Sequence, residues 1–399
     1  MKKILLTLVL FCLLQVNCFA QAEASKGITF LYINGSNNND ARMKNWYETG
    51  VKKLHPYLKK EFETAPLAQK YFLKDGKYSI NAKPSIFFWG YKSHDDLNFV
   101  EKNLAISKGF SSWLAYQIRF ALTCFLHDAI WVQKYHNMDP ILDDLQTMVR
   151  AESDKGNSVV LYGYSAGSFV TYQYLLSRVP YINVAEFFKN VKVGQAELDF
   201  VAQHPMKNTC MEALGQDLAI FSISGHIIPN PNPELFNKNY MNLNDVTDKV
   251  CAPVGAVKGI INFASPLVLF YSDLSDPNFE LTYYNRLLFK YIIENDMFWI
   301  TVNYRNDPLG FPGGSNLTIE EIENATNIDI EPHAGFMYDQ SNTWSRNSAL
   351  ATHTSYWATR QIFSKAVVRA YANGYRHQYD DSFKQSTVRK FQKKFNILP

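Results

Sequence analysis

The stretch VVLYGYSAGSF, residues 159–169, places a serine between two glycines at the point where the hydrophobic period changes. The residues from Ser158 to Tyr162 form an apolar, strand-like run, whereas the following FVTYQYLLSRV repeats its apolar side chains at helical spacing. Ser165 is therefore predicted to lie in a tight strand-to-helix turn. Such a turn exposes a serine hydroxyl, and the flanking glycines remove side chains that would clash there. An ordinary turn or helix-capping serine is the alternative interpretation.

The segments around this turn follow a β-α-β rhythm. Short apolar runs bounded by turn residues predict further buried strands at 28–33, 85–89, 257–263 and 297–304. The amphipathic WYETGVKKLHPYLKKEF lies between the first two strands, and DPILDDLQTMVRAES precedes the central one, with Asp139 as its predicted N-cap and Pro140 at its first position. This rhythm predicts the α/β class, with a mostly parallel sheet flanked by helices.

Two segments, at about 92–135 and 178–255, interrupt the rhythm and are interpreted as helical, cap-like insertions. The first contains an apolar helical pattern over 108–131, either a buried helix or a cap over the active site. Charged residues such as Arg119 within that pattern argue against a membrane span. No linker or repeat divides the chain, so one domain over residues 21–399 is the simpler interpretation.

Residues 1–20 have the features of a signal peptide. Two lysines precede an apolar run that is too short to cross a bilayer, and small residues at Cys18 and Ala20 fit a cleavage site. Lipidation of Cys18 is the competing interpretation, although the polar residues around it fit that signal less well. Either interpretation predicts an exported protein, whether periplasmic, outer-membrane-associated or secreted.

Composition excludes some classes of function. The net charge is only +3 and the basic residues are dispersed, which argues against nucleic-acid binding. The chain is 47% hydrophobic and 15% aromatic, which suits a large core and an apolar substrate pocket. Of the five cysteines, Cys210 and Cys251 are the pair favoured for a disulfide in an oxidising compartment. No residues have zinc-ligand spacing, and neither a metal nor another cofactor is expected.

A serine nucleophile needs a base to accept its proton and a carboxylate to orient that base. The carboxylate is expected at the end of a later strand, and Asp307 directly follows the apolar FWITVNYRN. Pro308 after it prevents further strand pairing. Asp273 and Asp276, after FASPLVLFYS, are the alternatives.

Three histidines follow the candidate acid, at positions 333, 353 and 377. His353 lies in ATHTSYW, a predicted loop just before the last long helix, and is the favoured base. His333 in EPHAGF is the second choice, and His377 is assigned to a polar tail beyond that helix.

The oxyanion of an acyl-transfer intermediate needs two backbone donors. One is expected to be the N–H of Ala166, the residue after the nucleophile, which opens a helix. The other should come from the loop NGSNN after the first strand. The N–H of Ser36 is the favoured donor there, with Gly35 and Asn37 as alternatives.

These motifs together resemble the α/β-hydrolase superfamily. The order Ser165, Asp307, His353 matches its order of nucleophile, acid and base, GYSAG matches its elbow, and ITVNYRNDPLG resembles the acid-bearing strand of class 3-type lipases. THTSYW resembles the base histidine with a following aromatic pair in related esterases, and FFWG resembles the strand before the cap region. The likeness covers about a quarter of the chain, and the first loop reads Asn34-Gly35 where many relatives have His-Gly.

The resemblance implies ester or thioester hydrolysis through an acyl-enzyme, without naming a substrate. The favoured function is an exported serine esterase or lipase that acts on a small-molecule or lipid ester, with peripheral membrane contact left open. An acyltransferase with the same triad is the second enzyme hypothesis. A non-catalytic binding or effector protein on the same fold is the hypothesis from another class.

Overall fold

The computed structural model describes the chain in several stretches: residues 26–36, 41–93, 134–179, 255–267, 295–311, 335–345 and 347–379, with short pieces at 115, 127–128, 130–132, 205–207, 219–222, 227–229, 252–253 and 292. Some predictions fall outside these described residues. They are the signal peptide, the cysteine pair, the apolar helix over 108–131 apart from a few positions, and most of both insertions. These features and the single-domain organisation stay predictions.

The centre of the fold is a parallel sheet of seven strands. In chain order the strands are β1 (Lys26–Ile33), β2 (Tyr78–Ile80), β3 (Ser85–Phe87), β4 (Ser158–Tyr164), β5 (Pro205–Lys207), β6 (Ala219–Ser222), β7 (Ile227–Pro229), β8 (Val257–Phe263), β9 (Phe298–Tyr304) and β10 (Phe336–Thr343). The main sheet runs β10-β9-β8-β4-β1, and β2 and β3 pair with successive parts of β1. Strands β5 to β7 form a separate antiparallel sheet inside the second predicted insertion, so these described residues are strands and not the helices that were predicted.

Helices cover both faces of the main sheet. They are α1 (Ala41–Thr64), α2 (Tyr135–Ser153), α3 (Gly167–Arg178), the short α4 (Ala349–Thr352) and α5 (Arg360–Tyr379). Apolar side chains of α1 and α5 share one buried cluster with one face of the sheet, and those of α2 and α3 share the other. All twelve residues of α3 are buried, so the helix after the serine turn belongs to the interior.

The alternation of side chains along the central strand explains this layering. On β4, Val159 and Leu161 face α2 and α3, whereas Val160 and Tyr162 face α1 and α5. Because both faces of the sheet are covered, the sequence of this strand is a continuous apolar run and does not alternate apolar with polar residues. The fold is therefore α/β with a parallel sheet between two helical layers, an architecture consistent with the α/β-hydrolase fold.

The structure corrects three further sequence-based predictions. Helix α2 begins at Tyr135 and not after Asp139, so Pro140 lies inside the helix and Asp139 instead forms an ion pair with Arg178. The strands β2 and β10 at the two ends of the sheet were not predicted, because β2 has only three residues and the sequence of β10, FMYDQSNT, is polar over its second half. His377 lies in the last turn of α5 rather than beyond it. None of the described helices is long and apolar enough to cross a membrane.

Candidate active site

Ser165 lies in the turn between β4 and α3, at the carboxyl edge of the sheet. Its φ of 51° falls in the left-handed region, which is uncommon for a residue with a side chain. Its backbone N–H donates to the carbonyl oxygen of Phe263 at the end of β8, over 3.0 Å. The neighbouring strand therefore holds the backbone of the serine in a conformation that a free chain would rarely adopt.

The two glycines beside the serine are required by close packing. A Cβ on Gly167 would lie 2.6 Å from the carbonyl oxygen of Ile33, so β1 approaches the start of α3 too closely for any side chain. A Cβ on Gly163 would lie 2.3 Å from Oδ1 of Asn262 on β8. The Gly-x-Ser-x-Gly pattern thus reflects a helix and two strands that meet directly beneath Ser165.

Ser165, His353 and Asp307 form a continuous hydrogen-bonded series. Nε2 of His353 lies 3.0 Å from Oγ of Ser165, and its Nδ1 lies 3.0 Å from Oδ1 of Asp307. A neutral imidazole that carries its proton on Nδ1 satisfies both contacts, because Nε2 can then accept from the serine hydroxyl. The structure thus brings together three residues that lie up to 188 positions apart in the chain.

The carboxylate of Asp307 is buried and well supplied with hydrogen-bond donors. It accepts from the backbone N–H of Leu309 over 2.9 Å and from the hydroxyl of Tyr356 over 2.8 Å, in addition to His353. Burial alone would raise the pKa of this carboxyl, but the hydrogen bonds and the His353 charge outweigh it and hold the pKa below 3.8. Asp307 is therefore ionised at neutral pH and can stabilise a positive imidazolium.

Asn306 connects the loop of the acid to the loop of the histidine. Its Oδ1 accepts from the N–H of Ser345, and its Nδ2 donates to the carbonyl oxygens of Ser345 and Asn347 and to the hydroxyl of Thr352. Thr352 directly precedes His353. The asparagine next to Asp307 therefore fixes the approach of His353, a role that the sequence analysis missed although VNYRND places polar side chains at a strand end.

Tyr164, the residue before the serine, also holds the histidine loop. Its hydroxyl donates to the carbonyl oxygen of His353 over 3.0 Å, and its ring lies 5.6 Å from the imidazole at an interplanar angle of 29°. Because Tyr164 is buried on β4, its side chain is held in a fixed position. Sequence spacing could not reveal this contact, because it joins residues 189 positions apart.

Ala166 supplies the first candidate donor for an oxyanion. Its φ of −60° and ψ of −18° are helical, and it immediately precedes α3. Backbone N–H groups at the start of a helix lack intrahelical acceptors and carry the positive end of the helix dipole. The N–H of Ala166 is therefore suited to stabilise negative charge beside Ser165.

The loop after β1 lies against the serine, as the second candidate donor requires. A Cβ on Gly35 would lie 2.8 Å from Cβ of Ser165. Asn34, which is fully buried, donates from Nδ2 to the carbonyl oxygen of Gly35 over 2.8 Å and accepts the N–H of Trp89 on Oδ1. Because the C=O and N–H of a trans peptide point in opposite directions, this bond fixes the direction of the Ser36 N–H.

Of the alternative residues for the base, His377 is described and lies away from Ser165. His377 packs its ring against Tyr338, with 6.1 Å between the ring centroids. Asp273, Asp276 and His333 lie outside the described residues, as does Asn37. Within the described part of the chain, no group of three or more His, Cys, Asp or Glu side chains is arranged to hold a metal ion.

Comparison of the chain with protein-family models, with curated proteins and with solved structures finds no match. The geometry of the site is therefore the basis for the functional argument.

Proposed function

We propose that the protein is a serine hydrolase that cleaves carboxylic esters through an acyl-enzyme on Ser165. The observation that carries the proposal is the series in which Oγ of Ser165 faces Nε2 of His353 and Nδ1 of the same ring faces Asp307, each over 3.0 Å. A serine hydroxyl is a weak nucleophile unless a base accepts its proton. This arrangement supplies the base and the group that orients it.

The proposed reaction has two halves. In the first, Oγ of Ser165 bonds to the ester carbonyl carbon while its proton moves to Nε2 of His353, and that proton then leaves with the alcohol as the ester bond breaks. In the second, the oxygen of water bonds to the acyl carbon while its proton moves to Nε2. The bond from that carbon to Oγ then breaks as Nε2 returns the proton to Oγ, which releases the acid and restores the serine. Asp307 stays ionised throughout and balances the charge of the imidazolium.

The carbonyl oxygen becomes negative in both halves, and two backbone groups are proposed to stabilise it. The N–H of Ala166 lies at the start of α3, and the N–H of Ser36 lies in the loop that packs against Ser165. Preformed donors of this kind each contribute about 10²–10³-fold to turnover. The fixed peptide after Gly35 supports the view that the site is preformed.

The substrate class rests on the sequence. An aromatic share of 15% suits a small-molecule or lipid ester with an apolar acyl group. We propose export from the cytoplasm because residues 1–20 have the pattern of a signal peptide. Sequencing the N-terminus of the protein recovered from an expressing cell tests this, since a signal peptide predicts a start at residue 21.

Labelling with a fluorophosphonate and hydrolysis of p-nitrophenyl esters from acetate to palmitate test the proposal. Ser165→Ala should abolish labelling and lower kcat on the order of 10⁶-fold, because the nucleophile is lost. Ser364→Ala is the matched control, since it removes another buried serine hydroxyl, whose partner among the described residues is the carbonyl oxygen of Arg360 within α5. The control should label and turn over like the unaltered protein.

The outcomes separate the competing functions. A Ser165→Ala variant that keeps more than a few per cent of the hydrolysis contradicts the assignment of the nucleophile. An unaltered protein that neither labels nor hydrolyses any ester supports a binding protein instead. An acyl-enzyme that forms but is discharged faster by an added alcohol or amine than by water supports an acyltransferase, and the ester series reports the preferred chain length.

A further inference from the structure

The hydroxyl of Tyr356 has two hydrogen-bond partners at the edge of the candidate site. It donates to Oδ2 of Asp307 over 2.8 Å and accepts the backbone N–H of Tyr304, at the end of β9, over 2.9 Å. We propose that Tyr356 is a positioning residue that sets the basicity of His353 through Asp307. This inference rests on the proposed function, because it assigns His353 as the base.

The direction of both hydrogen bonds follows from simple counting. A backbone N–H can only donate, so the oxygen of Tyr356 accepts from Tyr304 and the single phenol proton remains for Asp307. The two rings also stack, with centroids 4.3 Å apart and an interplanar angle of 19°. Tyr356 is fully buried, so water does not compete for its hydroxyl. The sheet, through β9, therefore holds a donor in place against the carboxylate.

This donor competes with the imidazole for the charge of the carboxylate. Oδ2 of Asp307 lies 3.2 Å from Nδ1 of His353 but only 2.8 Å from the phenol oxygen. A hydrogen bond draws negative charge toward its donor, so the carboxylate stabilises an imidazolium less than it would without Tyr356. The phenol thus weakens the stabilisation that Asp307 gives to an imidazolium, and a general base needs the neutral imidazole.

Among the described residues, the tyrosines that face this pair do not change charge near neutral pH. Burial, reinforced by the negative charge of Asp307, raises the pKa of Tyr356 well above 10.0, so it remains a donor. Tyr164 faces the imidazole from β4, and its pKa is likewise raised by burial and by Asp307. Tyr304 bonds through its hydroxyl to Thr359, and burial raises its pKa to about 12. A change in the pH profile near neutrality would therefore report His353.

The test compares the pH profiles of kcat/KM for Tyr356→Phe and Tyr304→Phe. Tyr356→Phe removes the donor to Asp307. The acid limb of its profile, the range in which kcat/KM falls as the pH is lowered, should move to higher pH by about half a unit because the imidazolium becomes more stable. Tyr304→Phe is the matched control: it removes a neighbouring hydroxyl that bonds to Thr359 and leaves the stacked ring and the backbone N–H unchanged. Its acid limb should coincide with that of the unaltered protein.

A purely structural role for Tyr356 predicts a lower melting temperature without a shift of the acid limb. An unchanged limb, a shift to lower pH, or the same shift in both variants overturns the proposal. If Tyr356→Phe fails to fold, replacing Tyr356 by 3-fluorotyrosine keeps the question open to measurement. The fluorinated phenol is a stronger donor, so the acid limb should then move to lower pH, and no movement overturns the proposal.

A readout that needs no turnover separates this proposal from the proposed function. With ¹³C at Cε1 of the histidines, an NMR titration of Ser165→Ala follows each imidazole, and the His353→Gln variant identifies the signal of His353. Adding Tyr356→Phe should raise the midpoint for His353 by a similar half unit. If the protein hydrolyses no ester but shows this shift, the proposed hydrolase function is refuted and the coupling of Tyr356 to His353 stands. If the protein is active but shows no shift, the coupling is refuted and the proposed function stands.

Discussion

Two buried histidines on the same side of the sheet differ in what they can do. His55 on α1 has Nδ1 3.2 Å from the hydroxyl of Tyr32 and Nε2 2.9 Å from the carbonyl oxygen of Asn81. His353 likewise has a partner at each nitrogen, but the partners are a carboxylate and a serine hydroxyl. Both imidazoles are buried and have a hydrogen-bond partner at each nitrogen, so these shared features do not explain catalytic potential.

The charge of the acceptor makes the difference. The carbonyl oxygen beside His55 is neutral, and burial lowers the pKa of this histidine below 6.5, so it stays uncharged. Its other neighbour, the phenol of Tyr32, is fully buried, and burial raises its pKa well above 10.0. At His353 an ionised carboxylate can stabilise the imidazolium that forms when the serine loses its proton. A comparable imidazole in a neutral environment only supports structure.

Replacing each histidine by glutamine tests this difference most directly. His353→Gln should lower kcat on the order of 10⁶-fold, because no base remains for Ser165. His55→Gln should leave kcat/KM within about twofold and cost about 1–3 kcal/mol of unfolding free energy through poorer hydrogen bonding. Ester hydrolysis and urea unfolding of both variants measure these effects.

His333→Ala completes the set, since His333 is the other candidate base in the sequence. It should retain activity. A dead His333→Ala beside an active His353→Gln would refute the assignment of the base while leaving the serine hydrolase proposal intact. Loss of activity in a folded His55→Gln would instead refute the separation between the two histidines.

Asp307→Asn tests the charge of the acceptor directly. The amide has nearly the same shape as the carboxylate, but it is neutral and presents the imidazole with the wrong donor pattern. We expect kcat to fall about 10⁴-fold with little change in KM, because the effect concerns the transition state. Steady-state kinetics measure both constants, and circular dichroism checks the fold. A variant that keeps a tenth of the original kcat would show that charge at this position is not what separates His353 from His55.

The three residues of the series could be chosen from the sequence because each has a local signal. Ser165 lies between glycines at a change of period, Asp307 follows an apolar strand before a proline, and His353 precedes the last helix. Helices and strands are also local, so most of the parallel sheet was predicted correctly. The edge strand β10 was not, since Asp339 and Gln340 interrupt its apolar run.

The residues that hold the series together have no local signal. Tyr356 contacts Asp307 across 49 positions, and Tyr164 contacts the carbonyl of His353 across 189. Nothing in the sequence indicates which of the 24 tyrosines in the chain place their hydroxyls at the site. The wrong start of α2 has the same origin, because Asp139 is a good capping residue by type but pairs instead with Arg178, which is distant in sequence. Long-range partners decide these cases.

The smallest expected effect concerns stability and isolates His55. Its pKa is lowered in the folded state, so between the ordinary value of 6.5 and the folded value the unfolded chain binds more protons. The free energy of unfolding therefore falls as pH drops through and below 6.5. Asp307, whose pKa is also lowered, contributes no slope here, because its stabilisation is lost only as pH falls below 3.8 toward its folded value.

Urea unfolding at pH 7.5 and pH 5.5 measures this slope in the unaltered protein and in His55→Gln. The glutamine cannot titrate, so the variant should lose less stability between the two pH values than the unaltered protein, although it is less stable at pH 7.5. Every other histidine is common to both proteins and cancels in the difference. An equal loss in both would mean that His55 takes up its proton as readily in the folded state as in the unfolded one. The neutral hydrogen-bond partners of His55 would then not distinguish it from His353.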